Sequence, residues 1–130
     1  MNFRNILPVA LPLLLAGCAG SAASLEAQTD AVTLNASGDY RSVYERLATT
    51  AKRCWDATGM YQSGEVEDDI YPSLGYGTIS VVVNNMGSRT FELTAKIEDA
   101  GESSKISVHS NHRTYKKDFL RWASGDLTCS

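Results

Sequence analysis

His109 and His112 are the only two histidines in the chain, three residues apart. On a helix that spacing can hold a zinc ion between two imidazoles. Here it spans the end of a strand pattern and a turn, and no third ligand follows in the sequence. The pair reads as exposed polar residues. Glu65, Glu67, Asp68 and Asp69 form the densest charge cluster. Carboxylates in such a run suit calcium or a basic protein surface, but the glycine position and spacing of a calcium loop are missing. The cluster reads as the solvated side of an edge strand, and docking a partner is the best functional role open to it. Tyr71-Pro72-Ser73-Leu74-Gly75-Tyr76-Gly77 sets two tyrosines among turn-formers. Exposed on a rigid hairpin, those rings suit recognition of a protein or a glycan; folded inward, they would simply pack on a sheet. There is no Gly-x-Ser-x-Gly elbow, no phosphate-cradling glycine loop and no dinucleotide fingerprint. No catalytic residue, metal ligand or cofactor is therefore expected.

The most specific chemistry lies near the N-terminus. Met1 to Arg4 carries one positive charge, and Ile6 to Ala16 is an apolar run of 11 residues interrupted by Pro8 and Pro12. A membrane-spanning helix needs about 20 residues, so the run has the length of a secretory signal instead. It ends in Leu15-Ala16-Gly17-Cys18: a branched apolar residue, two small residues that fit an extended protease groove, and a thiol. Residues 1–18 resemble the bacterial lipoprotein signal class. The resemblance implies thioether attachment of diacylglycerol to Cys18, cleavage between Gly17 and Cys18, and N-acylation of the new terminus. Ala19, rather than Asp, after the cysteine implies release to the periplasmic face of the outer membrane rather than retention at the inner one. Beyond this signal, the chain is similar in plan to small Gram-negative envelope lipoproteins, without matching one family among them.

Export has consequences for the other cysteines. With Cys18 lipidated, Cys54 and Cys129 are left as an even pair in an oxidising compartment, 75 positions apart. They are expected to form a disulfide that joins the two helices described below, worth on the order of 4 kcal/mol by loop entropy. A redox or metal-binding pair is the alternative, and neither Cys-x-x-Cys spacing nor a neighbouring histidine supports it. Charge points away from some partners. The whole chain is at −3; without the leader and its Arg4, 11 basic residues face 15 acidic ones, or −4. A mildly acidic domain has no electrostatic reason to bind nucleic acid or an anionic membrane, so attachment falls to the lipid.

These features need elements to hold them. Residues 18–37 are small and polar with no sustained apolar face, and read as a lipidated terminus plus a flexible tether reaching roughly 25 Å. The globular domain is expected over 38–130. Tyr40, Val43, Tyr44, Leu47, Ala48, Ala51, Cys54 and Trp55 fall on one face of a helix, with Asp39 at its start and Gly59 marking its end. Period-two alternation then marks strands around Ile79–Val83, Phe91–Ile97 and Ile106–Val108, with a more acidic strand at Gln62–Tyr71 before them. Loops with turn chemistry at 84–88 and 99–102 make the pairing antiparallel. A second helix is predicted from Arg113 to Ser124, capped by Asn111 and stopped by Gly125. The expected fold is α+β: a helix, a four-stranded antiparallel meander and a helix, with both helices on one sheet face.

The combination of anchor, tether and disulfide-locked domain favours a membrane-attached, non-enzymatic protein that binds an envelope partner, through Tyr71, Tyr76, Glu65, Glu67 and Asp69. A cell-wall glycan or small-ligand binder is the second class, and an enzyme the third. Oligomeric state has no signature in the sequence.

Overall fold

The computed structural model describes residues 21–58 and 62–130. The signal segment and Cys18 lie outside the described residues, as does Gly59. The elements are α1 (Ala22–Gln28), β1 (Val32–Ser37), α2 (Tyr40–Trp55), β2 (Ala57–Thr58), β3 (Gln62–Tyr71), β4 (Tyr76–Asn85), β5 (Ser88–Ala100), β6 (Ser103–Ser110) and α3 (Arg113–Ala123). The strands form one antiparallel sheet in the order β1-β6-β5-β4-β3-β2. The α+β class and the meander hold, but the sheet has six strands where four were expected. β2 contributes a pairing of only two residues.

The larger correction concerns residues 22–37, which the composition presented as a tether. Seven of them form α1, with the Ser21 side chain accepting from the Ser24 N–H as its cap. Val32–Ser37 pairs antiparallel with β6, from Val32 opposite Val108 to Ser37 opposite Ser103. The alternation Val32, Leu34, Ala36 supplies the inward side of that strand, and Ala36 is fully in the core. Among the described residues, regular structure thus begins at the Ser21 cap, close behind Cys18 in sequence.

α2 forms where periodicity places it. Asp39 caps it, its Oδ1 accepting from the Arg41 and Ser42 N–H groups at 3.0 and 3.2 Å. Its end falls at Trp55, with Asp56 as C-cap. The Asp56 side chain then accepts from the Val66 N–H of β3 at 3.0 Å, so the residue that stops the helix also ties it to the sheet. At α3 the cap is His112 rather than Asn111: its Nδ1 accepts from the Tyr115 N–H at 3.3 Å. Gly125, at φ 112°, follows the C-cap Ser124 as expected.

Both of these helices pack on the same side of the sheet. Tyr44, Leu47 and Trp55 of α2 and Phe119 and Trp122 of α3 share one buried cluster with Ile79, Val81, Leu93, Ala95, Ile97, Ile106 and Val108. Trp55 is its aromatic hub, with ring centroids 4.4 Å from Trp122 and 5.1 Å from Tyr115. α1 lies on the opposite side. It contacts β5 and β6, and its C-cap Thr29 meets His109, which alternates out of phase with Ile106 and Val108. Leu25 is its single buried residue and stands outside the main cluster. The sheet is therefore the middle of three layers.

Cys54 and Cys129 are joined, with Cα atoms 5.4 Å apart. Cys129 lies beyond α3, so the bridge ties the end of α2 to the C-terminal tail rather than to the second helix itself. Trp122 Nε1 donates to the Thr128 carbonyl at 2.9 Å, and Ser130 Oγ donates to the buried Asp118 at 2.8 Å, which fold that tail back onto α3.

Candidate docking face

Strand alternation divides the acidic run of β3 into two sets. Val66 and Ile70 turn toward the helices, and Asp68 between them does the same. Tyr44 Oη donates to Asp68 Oδ2 at 2.7 Å, and Lys52 Nζ sits 2.7 Å from Oδ1. Burial pushes the Asp68 carboxyl up. The Lys52 ammonium and the Tyr44 hydroxyl outweigh that, and hold it below the usual carboxylate range. Tyr44 moves the other way: burial, then its bond to the Asp68 carboxylate, raises its hydroxyl well above the ordinary value. The approach depends on Gly77. A Cβ there would lie 2.5 Å from the Tyr44 ring, so only glycine lets the ring cross the strand to reach Asp68. Asp68 thus clamps α2 to β3 and is not available to a ligand.

Glu65, Glu67, Asp69 and Tyr71 occupy the alternate positions and emerge on the outer side of the sheet. Tyr76 pairs with Tyr71 across the hairpin, the two ring centroids 5.0 Å apart. Lys96, on the neighbouring strand β5, places its ammonium 4.5 Å from the Tyr76 ring centroid and 3.1 Å from the Glu98 carboxylate. Higher on the same side, Arg89 pairs with Glu67 and stacks over Phe91 at 5.4 Å. The residues that sequence reading put forward for partner binding therefore come together on a single sheet face. α1 lies beside the part of that face around Thr94 and His109, and the aromatic end is open.

The hairpin tip is rigid. Gly75, at φ 72°, donates to the Tyr71 carbonyl at 3.0 Å, and its own carbonyl accepts from the Asp99 N–H at 2.8 Å. That last bond fastens the β3–β4 turn to β5. Leu74 stands at its apex, 67% exposed, with Tyr71 39% exposed beside it. The tyrosines are neither free in solvent nor absorbed by the core: their rings meet at a tilt across the hairpin, with Tyr71 exposed and Tyr76 half-buried.

The histidines part company. His109 is half-buried, its Nδ1 at 3.1 Å from both the hydroxyl and the carbonyl oxygen of Thr29, and it anchors the end of α1. His112 caps α3 and stacks on Tyr115 at 4.2 Å. The expectation of exposed polar residues holds for His112, which is exposed while capping α3, and not for His109, which is half-buried against Thr29. Among the described residues, no three His, Cys, Asp or Glu side chains converge as a metal site. Also among them, no helix is long and apolar enough to cross a membrane.

Sequence reasoning missed Lys96, Arg89 and Leu74 as members of this face. Lys96 was readable as a polar position of its strand, but its approach to Tyr76 depends on the β4–β5 register. The chain matches no protein-family model, and no curated protein matches it in sequence.

Proposed function

We propose that this protein is a lipoprotein, anchored through acylated Cys18 to the periplasmic face of the outer membrane, that docks an envelope protein with the open side of its sheet. The role is binding rather than catalysis. The observation that carries the docking reading is the convergence of Glu65, Glu67, Asp69, Tyr71 and Tyr76 on one side, at a fastened hairpin with Leu74 exposed at its tip. Aromatic anchors with a charged surround are the usual make-up of a protein interface. The acids and the Lys96–Tyr76 contact suit a partner surface bearing basic and apolar groups together. Support for the anchor is the sequence Leu15-Ala16-Gly17-Cys18 behind its short apolar run.

A glycan or small-ligand role is the second reading, and the paired tyrosines favour it. A ligand of that size needs concavity, however, and neither of the two grooves described on the surface is lined by Tyr71 or Tyr76.

The test is photo-crosslinking in cells from position 76 of the full-length chain, followed by mass spectrometry. A discrete envelope protein should be captured, and the yield should collapse when Glu65, Glu67 and Asp69 are all replaced by Lys. Equal capture by the charge-reversed variant, or capture of glycan fragments alone, would reject the docking reading. Anchorage is tested separately by the intact mass of membrane-derived protein, which should show acyl chains on Cys18.

A further inference from the structure

A groove of about 530 Å³ opens where β6 ends and α3 begins, lined by Ser110, Asn111, Arg113, Lys116, Lys117 and Leu120. Arg113, Lys116 and Lys117 are spaced i, i+3, i+4, so all three cations project from one side of the helix. Among the described residues, no carboxylate lies within ion-pair distance of any of them. Lys52 and Arg121 are paired with Asp68 and Asp118, whereas Arg41 and Arg53 of α2 are held by the Tyr40 hydroxyl and the Leu127 carbonyl; among the described residues, only on α3 do three cations without a carboxylate line one groove. Leu120 adds a half-buried apolar wall. A net charge of −4 on the processed chain therefore conceals a concentrated positive site with one greasy side, the complement of a phosphate carried on an acyl chain.

The anchor brings that site to a membrane. Only two residues separate Cys18 from the Ser21 cap of α1, three Cα–Cα steps, so Ser21 lies no more than about 11 Å from the acylated residue. The far end of α1 is pinned at Thr29 to His109, the residue immediately before the groove-lining Ser110. Adding the rise of α1 and the step across Thr29 and His109, the groove mouth is within a reach of roughly 35 Å from the acylated residue. The chain has no slack to carry the domain farther away.

We propose that the Arg113–Lys116–Lys117 groove takes the phosphate headgroup of an anionic phospholipid in the membrane that holds Cys18, so that the domain rests on the bilayer at this end. The inference rests on the lipid-anchor reading above. Leu74 and the tyrosine pair then project away from the surface. The level of Ser110 matches Val81 on β4, and Tyr76 lies five residues farther down that strand, or about 17 Å.

The experiment uses the mature acylated protein in nanodiscs of phosphatidylcholine, with or without phosphatidylglycerol, and follows lysine acetylation by peptide mass spectrometry. In anionic discs Lys116 and Lys117 should be modified at least about fivefold more slowly, the factor expected for one cation near an anionic surface, while Lys105 is unchanged. Arg113→Gln should weaken that protection, and the Arg113→Gln/Lys116→Gln/Lys117→Gln variant should lose its preference for anionic over neutral vesicles. These positions are exposed or half-buried, so folding is checked by an unchanged melting temperature. Equal labelling in the two kinds of disc, with Cys18 shown by mass to be acylated, overturns the groove assignment alone. Full protection by millimolar inorganic phosphate in neutral discs assigns the site to soluble anions and overturns the lipid. An unacylated Cys18 removes the anchor and the proposal with it.

Discussion

At the residue scale, the chain reads most clearly where one side chain has one possible partner type. Cys54 and Cys129 were the only cysteines left for each other, and Asp39 sits where a helix cap must. Asp68 was harder. Four acids in five positions look like one solvated cluster, yet strand alternation hands Asp68 to the helix side and leaves Glu65, Glu67 and Asp69 outside. The division follows from period two alone, but its partner, Tyr44, depends on Gly77 being bare, which no local pattern announces. Gly77→Ala should force the Tyr44 ring to shift and cost about 1–3 kcal/mol, lowering the melting temperature by several degrees. A melt unchanged within a degree would show that the ring moves freely. The Tyr44–Asp68 bond also makes stability pH-dependent. The Asp68 carboxyl is held below its ordinary value of 3.8, so its contribution is complete above that pH and is lost as pH falls through the lower folded value. Tyr44 is raised above its ordinary 10.0, so its contribution is complete below pH 10 and declines as pH climbs past it toward the folded value. Urea denaturation across pH should show both flanks. Tyr44→Phe should flatten the alkaline one and cost on the order of 1–2 kcal/mol at neutral pH; an unaltered alkaline flank would assign it to other tyrosines.

At the element scale, periodicity delivered α2, α3 and the inner strands, because each carries enough apolar residues to declare its own face. It failed at α1 and β1. α1 buries one residue, Leu25, and cannot stand without the sheet beneath it. β1 has a proper alternation in Val32, Leu34 and Ala36, but it is short and lies in a run of small polar residues that resembles a linker. What makes it a strand is a partner 76 positions away, since Val32 pairs with Val108. Long-range pairing of this kind leaves almost no local trace. The difference has an experimental consequence. A domain cut at Gly38, the boundary composition suggests, would expose the whole outer edge of β6 and uncover Leu25's site. It should melt several degrees below a domain starting at Ala19 and aggregate more readily. Equal melting temperatures for the two would mean that β1 adds nothing to the fold.

At the scale of the whole molecule, the sheet acts as a beam between the two places at which contacts are proposed. At the end of β6, the C-terminus of α1 and the cationic groove lie at one level on opposite faces of the sheet; at the other end stands the fastened hairpin with Leu74 and the tyrosine pair. The sequence suggested a domain roaming on a roughly 25 Å leash, whereas the folded N-terminal segment leaves about 11 Å. With Cys18 acylated as proposed, a short leash would fix the height at which the hairpin is presented and raise its effective concentration toward partners at that height. The tail disulfide belongs to the same rigidity. Breaking it in a Cys54→Ser/Cys129→Ser variant should cost about 2–4 kcal/mol and loosen α2 against the tail without touching the hairpin, so hydrogen exchange should rise around Leu127 and stay flat at Gly75. Height can be tested directly by inserting a flexible Gly-Ser stretch of about 18 residues between Gly20 and Ser21, which restores the roaming arrangement with every surface intact. If partner capture from position 76 depends on presentation at a fixed height, its yield should fall severalfold while acylation and melting temperature stay the same. Capture undiminished by the insertion would show that the partner reaches down to the domain, and that the short connection serves the membrane end alone.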